Sequence, residues 1–223
     1  MSELRLVIFD VDGTLVDSQA DILAAMRFAF EGEGQPMPAR ESVLGIVGLS
    51  LDVAMARLAP QLDAGSQARL VQGYKDSYMS LRADKGSKAS SPLYPGALDV
   101  LHTLHAQDDV LLGVATGKSR RGLDKLLQGH GLEKLFVTQQ VADHHPSKPH
   151  PSMLLTAMRE TGVSVDRAVM IGDTSFDMDM ARAAGMAAIG VSWGYHDVDQ
   201  LGQVHRVIDQ FDALPGALQT LWG

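Results

Sequence analysis

Short, almost wholly apolar runs recur along this chain, separated by amphipathic helical stretches, and that recurrence leaves few folds open to it. Residues 4–9 are rich in branched aliphatic side chains and end abruptly at Asp10, Asp12 and Gly13. Similar runs occur at residues 110–115, 135–137, 168–171, 187–191 and, more weakly, 205–208. Strands that are apolar at successive positions need cover on both faces of their sheet. Helical periodicity fills the gaps, at residues 97–106, 120–129, 152–161, 177–184 and 211–221. Alternating strand and helix implies βαβ units with right-handed crossovers, hence an α/β fold with a doubly wound, mostly parallel sheet.

One region breaks the alternation. From residue 19 to residue 88 no strand pattern occurs, only helical segments punctuated by Gly32, Gly34, Pro36, Pro38, Pro60 and Gly65. The expected organisation is an α/β core made of residues 1–18 and 89–223, with residues 19–88 inserted as a helical cap. The exit, residues 85–95, is rich in Gly, Ser, Lys and Pro and reads as a hinge or linker. A chain of 223 residues accommodates a core with such an insertion.

Charge and composition exclude several functions. A formal net charge of -8 argues against a grip on nucleic acid or on an anionic membrane surface. A small phosphate ester stays compatible, because a bound divalent cation and a few basic groups can reverse the field inside a cleft. With no cysteine there is no disulfide framework, thiolate zinc site or cysteine nucleophile. Neither a signal-peptide pattern at residues 1–10 nor an apolar run of membrane-spanning length is present. A cytoplasmic protein, monomer or homodimer, is the expectation.

In open α/β sheets ligands bind beyond the carboxyl ends of the strands, so polar residues that directly follow apolar runs are the candidates. Four groups qualify: Asp10-Val11-Asp12-Gly13-Thr14, Thr116-Gly117-Lys118, Ser147-Lys148-Pro149 and Gly172-Asp173-Thr174-Ser175-Phe176-Asp177. In this order, spanning Leu6 to Val191, they resemble the motifs of the haloacid-dehalogenase superfamily. The Asp-x-Asp-Gly-Thr group after the first strand is the most specific of them. Helices inserted directly after it resemble the α-helical cap of the phosphoglycolate-phosphatase-like branch.

Phosphoryl transfer needs an attacking oxygen, and a strand-end carboxylate can supply one by forming an aspartyl-phosphate. Asp10 is the candidate nucleophile. The leaving alkoxide needs a proton and the later attacking water must lose one, which suits Asp12, two residues along. Gly13 and Thr14 are expected to shape the turn and offer N–H groups to the phosphate, with Thr116, Gly117 and the Lys148 ammonium completing its binding. A dianionic ester approaching an anionic Asp10 calls for Mg2+. The resemblance implies that the ion is held by the Asp10 carboxylate, the Asp12 carbonyl and the Asp173 carboxylate, with Asp177 in an outer position or reaching it through water. Gly45, Val47, Gly48 and Ser50 fall in a segment that resembles the substrate-facing cap loop of this branch.

Other features carry less. His144, His145 and His150 read as a polar loop, and His102 with His105 as an exposed helical face, rather than as a zinc site. Met178, Met180 and Met186 read as packing residues. The Trp193-Gly194-Tyr195-His196 stretch is similar to the branch but has no evident role in sequence. The expected function is Mg2+-dependent hydrolysis of a small-molecule phosphate monoester, phosphoglycolate first, then nucleotides, sugar phosphates and pyrophosphate. A haloacid dehalogenase would need neither Asp12 nor Asp173, and a phosphomutase relative tends to carry Glu-Asp where this chain has Gly172-Asp173. A non-enzymatic phosphate-binding protein would not need Asp10, Asp12 and Lys148 together.

Overall fold

The computed structural model describes residues 3–223. The elements run in the order β1 (Arg5–Phe9), α1 (Gln19–Gly32), α2 (Arg40–Leu44), α3 (Leu51–Leu58), α4 (Ala64–Lys85), α5 (Ser87–Ser90), α6 (Ala97–His105), β2 (Val110–Thr116), α7 (Arg120–His130), β3 (Phe136–Val141), α8 (Ser152–Thr161), β4 (Ala168–Gly172), α9 (Ser175–Ala184), β5 (Ala187–Val191), β6 (Arg206–Ile208) and α10 (Leu214–Trp222). The sheet order is β3-β2-β1-β4-β5-β6, parallel throughout. The chain winds outward from β1 through β2 to β3, then returns to the other side of β1 with β4. The point where winding reverses lies between β1 and β4, where such sheets bind ligands.

Alternation along β1 explains why both faces are covered. Val7 and Phe9 join a core with α6, α7 and α10, whereas Leu6 and Ile8 join another with α8 and α9. Met178, Met180 and Met186 belong to that second core, as their apolar character predicts. Full burial of such side chains contributes about 1.5–3 kcal/mol each.

Helices α1 to α4 form a third apolar cluster, with Met26, Phe30, Val43, Met55 and Leu70 inside. Asp63 starts α4 by accepting the Ser66 N–H at 3.0 Å, and this helix of 22 residues lies against α1. The two chain crossings between helices and sheet run side by side. Val16 bridges to Leu93, and the Asp17 N–H donates to the Pro92 carbonyl at 2.9 Å. The exit stretch differs from the flexible hinge that its composition suggests. It contains the turn of α5, Lys85 Nζ pairs with Asp21 at 2.9 Å, Ser90 Oγ donates to the same carboxylate, and His130 Nε2 meets the Ser91 carbonyl at 2.8 Å. A buried Asp21 gathers the Lys85 and Ser90 donors, and that contact is invisible in local composition. Among the described residues no helix is long and apolar enough to cross a membrane.

Candidate active site

The carboxyl ends of β1 and β4 are adjacent in the sheet, so the residues that follow them meet although 163 positions separate Asp10 from Asp173. Helix α9 begins just beyond β4. A reciprocal cap between Thr174 and Asp177 fixes its first turn, the Thr174 hydroxyl donating to Asp177 Oδ2 at 2.7 Å. Asp177 is thereby turned back toward the sheet. Carboxylate oxygens of Asp10, Asp173 and Asp177 all lie within 4.8 Å of one another, and all three residues are buried.

Lys148 enters from the loop before α8 and is buried to the same degree. Its Nζ donates to Asp10 Oδ1 at 2.6 Å and to Asp177 Oδ1 at 2.7 Å. Burial alone would lower its pKa, but the facing Asp10 and Asp177 charges more than offset that and raise it. One ammonium does not balance three carboxylates. Burial, followed by the charges of Asp177 and Asp10, raises Asp173 well above the usual carboxylate range. Asp10 is pushed up to about 7, chiefly by burial, with Lys148 acting in the opposite direction. Asp10 Oδ2 is buried without a hydrogen-bond partner. An orphaned anionic oxygen beside two further hard-oxygen donors suits a magnesium ion, which takes oxygen ligands and would supply the missing positive charge.

The turn after β1 packs directly against Asp173. Gly13 has φ +86°, and a Cβ there would run into the Asp173 carboxylate, so only glycine fits. Its N–H donates to the Val16 carbonyl at 2.9 Å, which differs from the expected N–H aimed at phosphate. The Thr14 hydroxyl donates to Asp173 Oδ1 at 2.9 Å. Asp12 projects toward the cap, where Ser18 Oγ donates to Asp12 Oδ1 and Lys118 Nζ reaches the same oxygen at 2.8 Å. Thr116 is buried at the end of β2, and its Oγ accepts the Lys118 N–H at 3.2 Å.

The cap closes over this cluster through the loop between α2 and α3. A Cβ on Gly117 would lie 2.6 Å from the carbonyl oxygens of Gly48 and Leu49, so the two loops touch backbone to backbone. Gly48 sits near Thr174 and Phe176, and the Ser50 N–H donates to Ser147 Oγ at 2.9 Å. Val47, Gly48 and Ser50 also line a cavity of about 640 Å3 between cap and core, together with Asp10, Asp12 and Thr116.

The stretch after β5 acquires a role from its contacts. Trp193 Nε1 donates to the Thr14 carbonyl at 3.1 Å, and the Tyr195 N–H donates to Asp173 Oδ2 at 2.8 Å. Tyr195 Oη accepts the Ser18 N–H at 3.0 Å at the start of α1. His196 Nδ1 accepts the Ser175 N–H at 3.2 Å, which leaves Nε2 as donor to the Gly45 carbonyl at 3.2 Å. This segment therefore positions Asp173 and holds the cap loop. Neither function leaves a sequence signal, because each contact is made by backbone or by a single ring atom. His145 bonds to Gln140 and Ser152 at 2.8 Å each, and His102 and His105 are exposed. Lys118 is the charged residue whose part sequence reasoning missed, although its place two residues after Thr116 could have signalled it.

A family model described as haloacid dehalogenase-like hydrolase matches residues 7–191. The chain is 36% identical to a probable phosphatase, IndB, of Dickeya dadantii strain 3937, over 97% of this chain and 94% of that protein. It is 30% identical to a phosphoglycolate phosphatase of Salmonella typhi, over 98% and 94% respectively. A solved hydrolase from Pseudomonas syringae superposes with a TM-score of 0.85 at 25% identity, covering 98% of this chain and all of that one.

Proposed function

This chain belongs to the haloacid dehalogenase-like hydrolases, in the phosphoglycolate-phosphatase-like branch with a helical cap, and from that membership we propose a Mg2+-dependent phosphatase that works through Asp10. The observation that carries this reading is the divided environment of Asp10. Lys148 holds one carboxylate oxygen, and the other is buried and unpartnered beside the cavity.

Asp10 attacks phosphorus, and the bond from phosphorus to the substrate alcohol breaks, giving an aspartyl-phosphate. Asp12, fixed by Ser18 and Lys118, gives a proton to the departing alkoxide. Water then attacks the phosphorus, Asp12 takes its proton, and the bond to Asp10 breaks to release phosphate. Thr116 and Gly117 line the cavity beside Asp10 and offer donors to the phosphoryl oxygens, while Lys148 supplies buried positive charge. Magnesium, bound by the carboxylates of Asp10 and Asp173 and the Asp12 carbonyl, would neutralise charge between ester and nucleophile. Asp177, one of whose oxygens is held by the Lys148 ammonium, fits an outer position, whereas Asp173 accepts only from the neutral donors of Thr14 and Tyr195.

The alcohol remains open to choice. Phosphoglycolate, which several relatives carry in their names, is the reference substrate. Phosphate release from a panel of esters, with and without Mg2+, tests the reading in wild type beside Asp10→Asn. Mg2+-dependent turnover that falls by about 10⁴-fold or more in the variant supports it. A variant as active as wild type would remove Asp10 as nucleophile.

A further inference from the structure

The phosphoryl chemistry uses only one end of the cavity between cap and strand ends. Asp10, Asp12, Thr116 and Gly117 form that end, whereas the remaining walls include Ile22 and Met26 of α1, Leu49 of the cap loop, and Val71, Tyr74 and Met79 of α4. These side chains are apolar or aromatic, and they share the lining with polar residues that include Gln72, Lys75, Arg82, Lys118 and Arg121. At about 640 Å3 the space falls within the roughly 300–1,000 Å3 typical of sites that bury drug-sized ligands among such walls. A two-carbon hydroxy acid would touch little of this surface and leave water against hydrocarbon.

Aromatic and cationic groups line the α4 side, where Lys118 also reaches Asp12. Tyr74 and Tyr78 stack on α4 with ring centroids 5.8 Å apart and planes 24° apart. Arg82 and Lys118 hold their charges over the Tyr78 ring, at 5.0 and 5.2 Å from its centroid. Tyr78 is therefore engaged, while Tyr74 remains partly open on a cavity wall. Arg82 Nε, in another lining residue, is buried without a partner, so a hydrogen-bond donor is left over on this side.

Resting on the phosphatase reading above, we propose that the preferred substrate is a monoester whose alcohol is of nucleoside size and carries an aromatic heterocycle, seated among Met26, Val71, Tyr74 and Met79. The ring occupies the apolar part of the cavity, and the sugar carries the ester to Asp10. Binding energy from such a remote group can be realised in the transition state, so its loss lowers kcat/KM and not affinity alone.

The test compares kcat/KM in excess Mg2+ for uridine and adenosine 5′-monophosphates, ribose 5-phosphate and phosphoglycolate. The better nucleotide should exceed both ribose 5-phosphate and phosphoglycolate by about tenfold or more, the scale of one stacked base. Met79→Trp, which fills the cavity from a side chain 39% exposed, and Tyr74→Ala should each lower the ratio of nucleotide to phosphoglycolate by about tenfold. Thermal melting identifies any variant that fails to fold, and Val71→Trp provides a further filling variant. Phosphoglycolate or ribose 5-phosphate turned over as well as the nucleotides, or a ratio unmoved in folded variants, overturns the inference and leaves the phosphatase intact. Hydrolysis of none of the four esters overturns both.

Discussion

At the strand ends, Asp10, Lys148, Asp173 and Asp177 are each no more than 2% exposed and are held by charged or hydrogen-bonding neighbours. Across the cavity, the cap meets the core through hydrogen bonds that include Ser50 to Ser147, His196 to Gly45, Arg82 to Gly122 and Ser90 to Asp21, and through Lys118 over the Tyr78 ring. Desolvated charges depend strongly on one another, since removing one leaves another buried and unpaired. Exchangeable hydrogen bonds contribute only about 0.5–1.5 kcal/mol each. The core half is therefore held by coupled charges, while the cap half is held against it mainly by exchangeable hydrogen bonds. The proposed reaction chemistry falls to the first and the proposed selection of the alcohol to the second.

Three substitutions probe that division. The largest effect is expected at the buried ammonium. Lys148→Met leaves Asp10 and Asp177 facing each other uncompensated, and should destabilise the Mg2+-free protein by about 3–5 kcal/mol. Turnover should fall by at least about 10²–10³-fold. Chemical unfolding and steady-state rates measure the two effects, and on the Mg2+-dependent reading proposed above added Mg2+ should recover part of the stability by binding the folded state. A variant with unchanged stability would mean that the core half is less tightly coupled than its geometry implies.

Next comes the seam between the halves. Gly117→Ala places a methyl group against the Gly48 and Leu49 carbonyls, so the cap loop must shift while the core carboxylates keep their contacts. Activity should fall by about 10²-fold, the usual cost of a misplacement near 1 Å, with little change in Mg2+ affinity. Equal losses in both would show that the cap loop also shapes the metal site. Ser147→Ala removes one cap tie, and a rise in KM of a few-fold with kcat nearly unchanged is the expected result. A collapse of kcat would instead place Ser147 among the groups that meet the phosphoryl.

The doubly wound sheet was legible because fully buried strands read as unbroken apolar runs, as at β1 and β4. Asp10, Asp12, Asp173 and Lys148 were legible because each directly follows a strand or precedes a helix, where the chain must present polar groups at the sheet edge. The exit from the helical insertion read as a linker, since nothing in residues 85–95 announces that Asp21 will collect Lys85 and Ser90. Gly13 likewise read as offering its N–H to phosphate, although that N–H is committed to the Val16 carbonyl.

Sequence by itself determined the alternation of elements, the helical insertion after β1 and the chemical types at each strand end, because these follow from local periodicity and residue chemistry. Only the tertiary structure decided which groups face one another: Lys148 between Asp10 and Asp177, Lys118 on Asp12, and Tyr195 on both Asp173 and Ser18. It alone also set the size of the cavity. The physical reason is separation along the chain. These contacts join residues from 22 to 177 positions apart and depend on strand order and on how the cap seats against the core, and no local pattern encodes either.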